Sequence, residues 1–281
     1  MGFSVAVLGQ GVGFGIKAGA SPPALTFDFT TGSLPAGITF TRASIGTYNN
    51  SSNILTTASA NVARFNYVGG VSCLLIEPAA TNMLVQSNNF GSASWDAQGG
   101  IVVTAAQFIS PDGTNNGWSL TTGAGNAYVA QYLTYSNIPY TMSAWGKQIS
   151  GGLSYQLGMA DVNGVVVITA ALARISLTGT TQAGSGFVAF FKVVGAAGAG
   201  ANGIYGAQLE IGSVSTSYIP TTTAAVTRAA DSAVFTVPAG VGHLTYTFDD
   251  NSTQSVTVSA GSYTIPANLN RPNIKSIVGS A

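Results

Sequence analysis

Between Ile101 and Tyr218 the sequence runs in short stretches of alternating apolar and polar residues, and no segment sustains the 3.6-residue period of an amphipathic helix. That pattern confines the chain to sheets. Eight stretches qualify as strands: Ile101–Thr104, Trp118–Thr121, Tyr128–Leu133, Tyr140–Lys147, Ser154–Ala160, Val165–Ala171, Phe187–Val194 and Ile204–Ile211. Turn signals such as PDGTNNG, DVNG and GAAGAGANG separate them. This is the strand count of a jelly-roll β-sandwich, in which two antiparallel sheets share one core.

The flanking regions are also all-β. In LTFDF, Leu25, Phe27 and Phe29 share one face, and in ITFTRAS so do Ile38 and Phe40. The apolar run Leu74-Leu75-Ile76 reads as a buried strand stopped near Pro78, and Met83–Gln86 as a second short one before the turn-rich SNNFGSAS. AVFTVPAG, HLTYTFDD, TQSVTVSAG and SYTIPA supply four C-terminal strands, while NRPNIKSIVGSA is expected to lie across a neighbour. The expected organisation is a Gly-rich arm over 1–23, an N-terminal β region over 24–95, the jelly roll over 96–231 and a small C-terminal β domain over 232–281.

Only 6% of the 281 residues are charged, against roughly 25% in an ordinary globular protein. A surface with so few charges resists association poorly, so partner subunits are expected to cover much of it, in a symmetric homo-oligomer with a trimer favoured. Nine basic residues scattered singly, balanced by nine acids, argue against nucleic acid as a partner. No apolar run reaches 18 residues, so no membrane span is expected. Cys73 stands alone beside an apolar run and reads as a small buried group. The opening VAVLGQGVGFG imitates a dinucleotide-binding turn, but Phe14 replaces the third glycine and no helix follows. It lacks the basic start of a signal peptide too, and reads as an attachment arm that orders on another subunit through Val5, Val7, Leu8 and Phe14.

Four groups of residues invite a functional reading. Trp145, Gln156, Trp118 and Tyr132 would form a glycan platform if they shared a concave face, although large aromatics in sandwiches serve first as core or interface anchors. Arg42, Arg64, Glu77 and Arg228 suit structural ion pairing in a half-buried seam better than chemistry. Asp96, Asp112, Asp161 and Asp231 would be the ligands of a structural calcium ion, but no calcium loop is present and turn roles explain them more simply, so no cofactor is expected. The sole histidine, His243, opens a strand and reads as a surface residue. With one histidine, and no acids paired except Asp249-Asp250 on a turn, the chain is expected to be non-enzymatic.

FTRASIGTY, NVARFNYV, LLIEPAATNMLVQSNNFGSASW and YGAQLEIGSVSTSYIPTTTAAVTRAAD together resemble a family of bacteriophage virion proteins: tail, neck and head fibres carrying a lectin-like jelly roll. Ala80 departs from the Arg often found there. The resemblance implies a structural component on the exterior of a phage particle, with other virion proteins as partners. Its alternative implication is a receptor-binding fibre or carbohydrate-binding module that recognises host surface polysaccharide.

Overall fold

The computed structural model describes residues 25–121, 127–151, 154–194 and 200–281, so the arm residues Val5, Val7, Leu8 and Phe14 lie outside the described residues. The strands run, in chain order, β1 Thr26–Asp28, β2 Thr39–Thr41, β3 Gly46–Asn49, β4 Leu55–Ala58, β5 Arg64–Val68, β6 Val71–Leu75 and β7 Ala80–Asn82. There follow β8 Asp96–Gln98, β9 Val102–Phe108, β10 Gly117–Thr121, β11 Tyr128–Tyr135, β12 Pro139–Gln148, β13 Ser154–Met159, β14 Val162–Val166, β15 Ala173–Thr180, β16 Gly184–Val194 and β17 Ala201–Ile211. The chain finishes with β18 Val226–Arg228, β19 Ser232–Val237, β20 His243–Phe248, β21 Thr253–Thr257, β22 Gly261–Thr264 and β23 Asn273–Ser280.

Strands β8 to β17 form two five-stranded antiparallel sheets, ordered β15-β12-β17-β10-β9 and β14-β13-β16-β11-β8. Without the edge strands β9 and β8, the remaining four of each, β10-β17-β12-β15 facing β11-β16-β13-β14, are the interleaved double Greek key of a jelly roll. Its core alternates as the sequence requires. Met142 and Ala144 of β12, Leu209 of β17, Tyr155 and Leu157 of β13 and Phe191 of β16 all point inward and are buried.

Two strand boundaries differ from expectation. The β13–β14 hairpin turns at Ala160-Asp161, with Ala160 at φ 49° and Met159 opposite Val162. The VNG of DVNG therefore lies on a strand rather than in the turn. Met83–Gln86 forms no strand; β7 precedes it, and Gln86 takes a positive φ that interrupts extended backbone.

Apart from the two-stranded pairs β3-β4 and β7-β18, the remaining strands build a second sandwich. One sheet runs β21-β20-β23-β6-β5 with β1 also on β23, and the other β2-β19-β22. Phe27, Phe29, Phe40, Leu74, Phe235, Phe248, Ile274 and Ile277 share its core. The regions 24–95 and 232–281, read from sequence as separate units, are thus one unit joined by strand pairing. The physical reason is β23, whose Ile274 and Ile277, brought to one side by a register shift against β20, fill the centre of a sheet that neither region completes alone. The jelly roll is an insertion in this outer sandwich.

Candidate functional site

Between the two sandwiches lies a buried ionic seam. Asp231 accepts from Arg42 Nη1 at 3.1 Å and Arg64 Nη2 at 2.5 Å, while Glu77 Oε2 is ion-paired with Arg64 Nη2 at 2.8 Å and Arg228 Nη2 at 3.5 Å. The Ser217 N–H and Oγ each donate to Glu77 at 2.7 Å, which ties the loop after β17 to the strand end after β6. Burial alone would raise the Glu77 carboxyl; Arg228, Arg64 and Ser217 outweigh it and hold it below the ordinary range. The structure therefore brings Arg42, Arg64, Glu77 and Arg228 together, and Asp231 with them. Asp231 was a calcium candidate, and the correction has a simple cause: guanidinium groups occupy both of its oxygens. TRAAD, with Arg228 and Asp231 three residues apart, held the signal for this pairing.

The other proposed calcium ligands sit in separate settings. Asp96 accepts from Gln98 and Tyr132, and Asp161 from the Gln182 N–H. Burial opposes ionisation of Asp112, but bonds from Thr114, Asn116 and Ser110 bring its carboxyl down to about 2. Among the described residues no three His, Cys, Asp or Glu side chains are grouped to hold a metal.

The four proposed platform residues are not on one face. Trp118 belongs to the end of the jelly-roll core, edge-on to Phe90, with its Nε1–H donated to the Asn88 carbonyl at 2.9 Å. Trp145 lies on the outer face of the first sheet, against Tyr205 and Tyr218, with the Arg174 guanidinium 4.9 Å from its ring centre. Gly206 at φ +64° runs beneath it, where a Cβ would meet the indole at 3.0 Å. The loop after β17 covers this face: Gln208 accepts from Ile219 N–H at 2.7 Å, and the Tyr218 carbonyl accepts from Thr47 of β3 at 2.5 Å. Trp145 is thus half-buried between Arg174, Tyr205 and Tyr218 and is not part of the open sheet face that carries Gln156 and Tyr132.

Tyr132 and Gln156 do share a face, the outer one of the second sheet. The register sets two rows across it: Gln98, Tyr128, Lys192, Gln156 and Val165, then Asp96, Ala130, Phe190, Gly158 and Asn163. Tyr132 extends the surface, 55% exposed, its Oη–H donated to Asp96 at 2.9 Å, and that bond raises the phenol's pKa. Phe190 lies down over Gly158, where a Cβ would fall 2.0 Å from the ring, and meets Tyr128 with centroids 5.8 Å apart. Glycine is what lets the ring lie flat. Gln156 Nε2 donates to Asn163 Oδ1 at 3.1 Å. From Tyr132 to Gln156 the face spans two strand spacings and four residues, on the order of 16 Å. Val165, at the opposite edge of the face from Tyr132, is 59% exposed. Tyr128 and Phe190 were not anticipated, although the four-residue spacing of Tyr128 and Tyr132 on one strand puts both on the same side.

No family model and no curated protein sequence matches the chain. Among solved structures, the CBM22-1 xylan-binding domain of Paenibacillus barcinonensis Xyn10C is similar over 48% of this chain and 94% of its own, at 14% identity and a TM-score of 0.35. A family 16 carbohydrate-binding module is similar over 46% of this chain and 99% of its own, at 18% identity and a TM-score of 0.36. The enzymatically active domain of bacteriophage CBA120 tailspike protein 4 is similar over 46% of this chain and 21% of its own, at 11% identity and a TM-score of 0.35.

Proposed function

We propose that this protein is a non-catalytic glycan-recognition module that holds oligosaccharide on the outer face of its second jelly-roll sheet. One observation carries the reading: an uncovered sheet face presents Tyr128, Tyr132 and the flat ring of Phe190 among Asp96, Gln98, Gln156 and Asn163. Aromatic faces stack on the apolar sides of sugar rings, and amides and carboxylates take the hydroxyls. The test is a glycan array followed by calorimetry on the best ligand. Tyr132→Ala and Phe190→Ala should each weaken binding about tenfold or more while leaving melting nearly unchanged, since both side chains lie on the solvent side. Undiminished binding by both variants would remove the site, and release of reducing ends from a bound polysaccharide would overturn the non-catalytic part.

A second reading is a structural component of a phage virion, on the particle exterior, assembled as a symmetric homo-oligomer with other virion proteins as neighbours. What supports it is the disposition of charge. Among the described residues, six of the charged side chains, Arg42, Arg64, Glu77, Glu210, Arg228 and Asp231, are buried, so the surface is poorer in charge than the composition alone implies. Val165, Val167 and Val214 meanwhile stand exposed at 59%, 77% and 74%. Sedimentation at micromolar concentration should show an oligomer and labelled antibodies should decorate particles; a single-chain species absent from particles ends this reading.

A further inference from the structure

Arg174 is the cation on the covered face that has no acid of its own. It sits on β15 opposite Trp145, where Nη1 donates to the Thr216 carbonyl at 2.6 Å and Nη2 to Ser143 Oγ at 3.0 Å. Among the described residues no carboxylate lies within 4.0 Å of it, in contrast to Arg42, Arg64 and Arg228. The two nearest acids are engaged elsewhere. Glu77 is held by Arg64, Arg228 and Ser217, and Glu210 Oε2 receives the Gln208 amide and, at 3.1 Å, the Thr216 N–H. The Thr216 peptide thus stands between Arg174 and Glu210.

Taken together, the guanidinium groups of Arg42, Arg64, Arg174 and Arg228 face the carboxyls of Glu77, Glu210 and Asp231. Burial raises the Glu210 pKa, which reduces the negative charge further, and Glu210 Oε1 has no partner. The layer keeps an excess of positive charge. Charge withdrawn from water without a counter-charge is costly, and an anion supplied from outside would offset it.

A cleft of about 170 Å³ opens onto this cation, walled by Trp145 and Tyr48 and edged by Asn49 and Asn273. The Asn49 side chain makes no hydrogen bond to the described residues. Asn273 uses its Oδ1 for Asn66 Nδ2 at 3.0 Å, and its own Nδ2 has no partner among them. The cleft combines an unpaired guanidinium, aromatic walls and spare amides in a space suited to one sugar ring.

We propose that this cleft is a second binding site, distinct from the exposed sheet face, for a carboxylate-bearing sugar residue of the hexuronate type. Arg174 takes the carboxylate with the N–H groups that Thr216 and Ser143 leave free, and the Asn49 and Asn273 amides take ring hydroxyls.

Stacking of Trp145 on the guanidinium makes indole fluorescence a reporter of occupancy. The full chain is titrated with oligogalacturonate, with the neutral galacto-oligosaccharide of equal length, and with acetate and inorganic phosphate. The acidic sugar should bind about tenfold or more tighter than the neutral one, with affinity that falls as salt is raised. Arg174→Lys should weaken it about tenfold, because the planar fork is lost while the charge stays. Asn49→Ala, whose side chain has no hydrogen bond among the described residues to lose, should weaken it several-fold and keeps the test open if Arg174→Lys does not fold. Tyr132→Ala should leave cleft binding unchanged while weakening binding on the sheet face about tenfold or more, so the two sites fail separately. Equal affinity for acidic and neutral sugar, or wild-type affinity in Asn49→Ala and a folded Arg174→Lys, overturns the proposal. Acetate or phosphate binding as tightly as the uronate overturns it also, since the cleft would then hold a simple anion.

Discussion

Asp231→Asn tests whether the ionic seam locks the two sandwiches together. The carboxylate accepts from Arg42 at 3.1 Å, Arg64 at 2.5 Å and the Glu77 N–H at 2.9 Å, and Arg228 Nη1 is 4.0 Å away. The amide keeps the volume but removes the charge, and its NH₂ must face a guanidinium. Three arginines then share Glu77 alone. Breaking a buried pair by deleting one partner costs about 3–5 kcal/mol, and the fully buried setting of Asp231 and Arg64 places this case near the middle, about 4 kcal/mol. With a urea slope of about 3 kcal/mol per molar, the midpoint should fall by roughly 1.3 M. The assay is equilibrium unfolding followed by tryptophan fluorescence and far-ultraviolet circular dichroism. Trp95, Trp118 and Trp145 all belong to the jelly roll or its outer face, so fluorescence reads that module while dichroism reads both. The control is Asp250→Asn, whose pairing with Arg271 is solvent-exposed and should leave the urea midpoint nearly unchanged. A loss for Asp231→Asn no greater than that of the control would refute the reasoning.

Gly158→Ala places a methyl group against Phe190 on the solvent side; stability should drop by less than about 1 kcal/mol, because the ring can swing outward, while sheet-face glycan affinity measured by calorimetry falls about tenfold. Gly206→Ala meets both a positive φ and the Trp145 ring, so a melting experiment should show a loss of more than about 1 kcal/mol together with altered tryptophan emission. In acid, Glu77 and Glu210 pull in opposite directions. The folded-state pKa of Glu77 is depressed, so its contribution is present above its ordinary value near 4.5 and is lost as pH falls through the lower folded value. The folded-state pKa of Glu210 is raised, so its contribution is complete below about 4.5 and is lost as pH rises through the higher folded value. Across pH 3 to 7, conditions that span the ordinary carboxylate range near about 4, the fall of the urea midpoint toward acid should therefore be shallower in Glu77→Gln and steeper in Glu210→Gln than in the unsubstituted protein.

The jelly roll was legible because its core strands alternate strictly. Tyr140, Met142 and Ala144 point inward as their spacing requires, and all eight expected strands contain residues of observed ones. β15 was missed because Arg174, Ser176, Thr178 and Gly179 leave only Ile175 and Leu177 as an apolar signal. β23 was missed for a different reason: its buried Ile274 and Ile277 are three residues apart across a register shift, so the strand shows no period-2 pattern, and its partners are distant in sequence. The ion pairs could be anticipated from residue chemistry, since isolated charges in a neutral chain need counter-charges. The platform could not be assembled from single strands. Which sheet Trp145 and Tyr132 belong to depends on the crossover of the Greek key, and no local period records that.

The pairing of β1 and β6 with β23 also sets an order of assembly during synthesis. A ribosome releases β1 to β7 first and the entire jelly roll next, so the insert can collapse on its own while the earlier strands wait with open hydrogen-bonding edges. Only when residues 273–280 emerge does one strand close against β20, β6 and β1 together. Until then the nascent chain carries a finished module on an unfinished mount, and those edges are its exposure to mispairing with neighbouring chains.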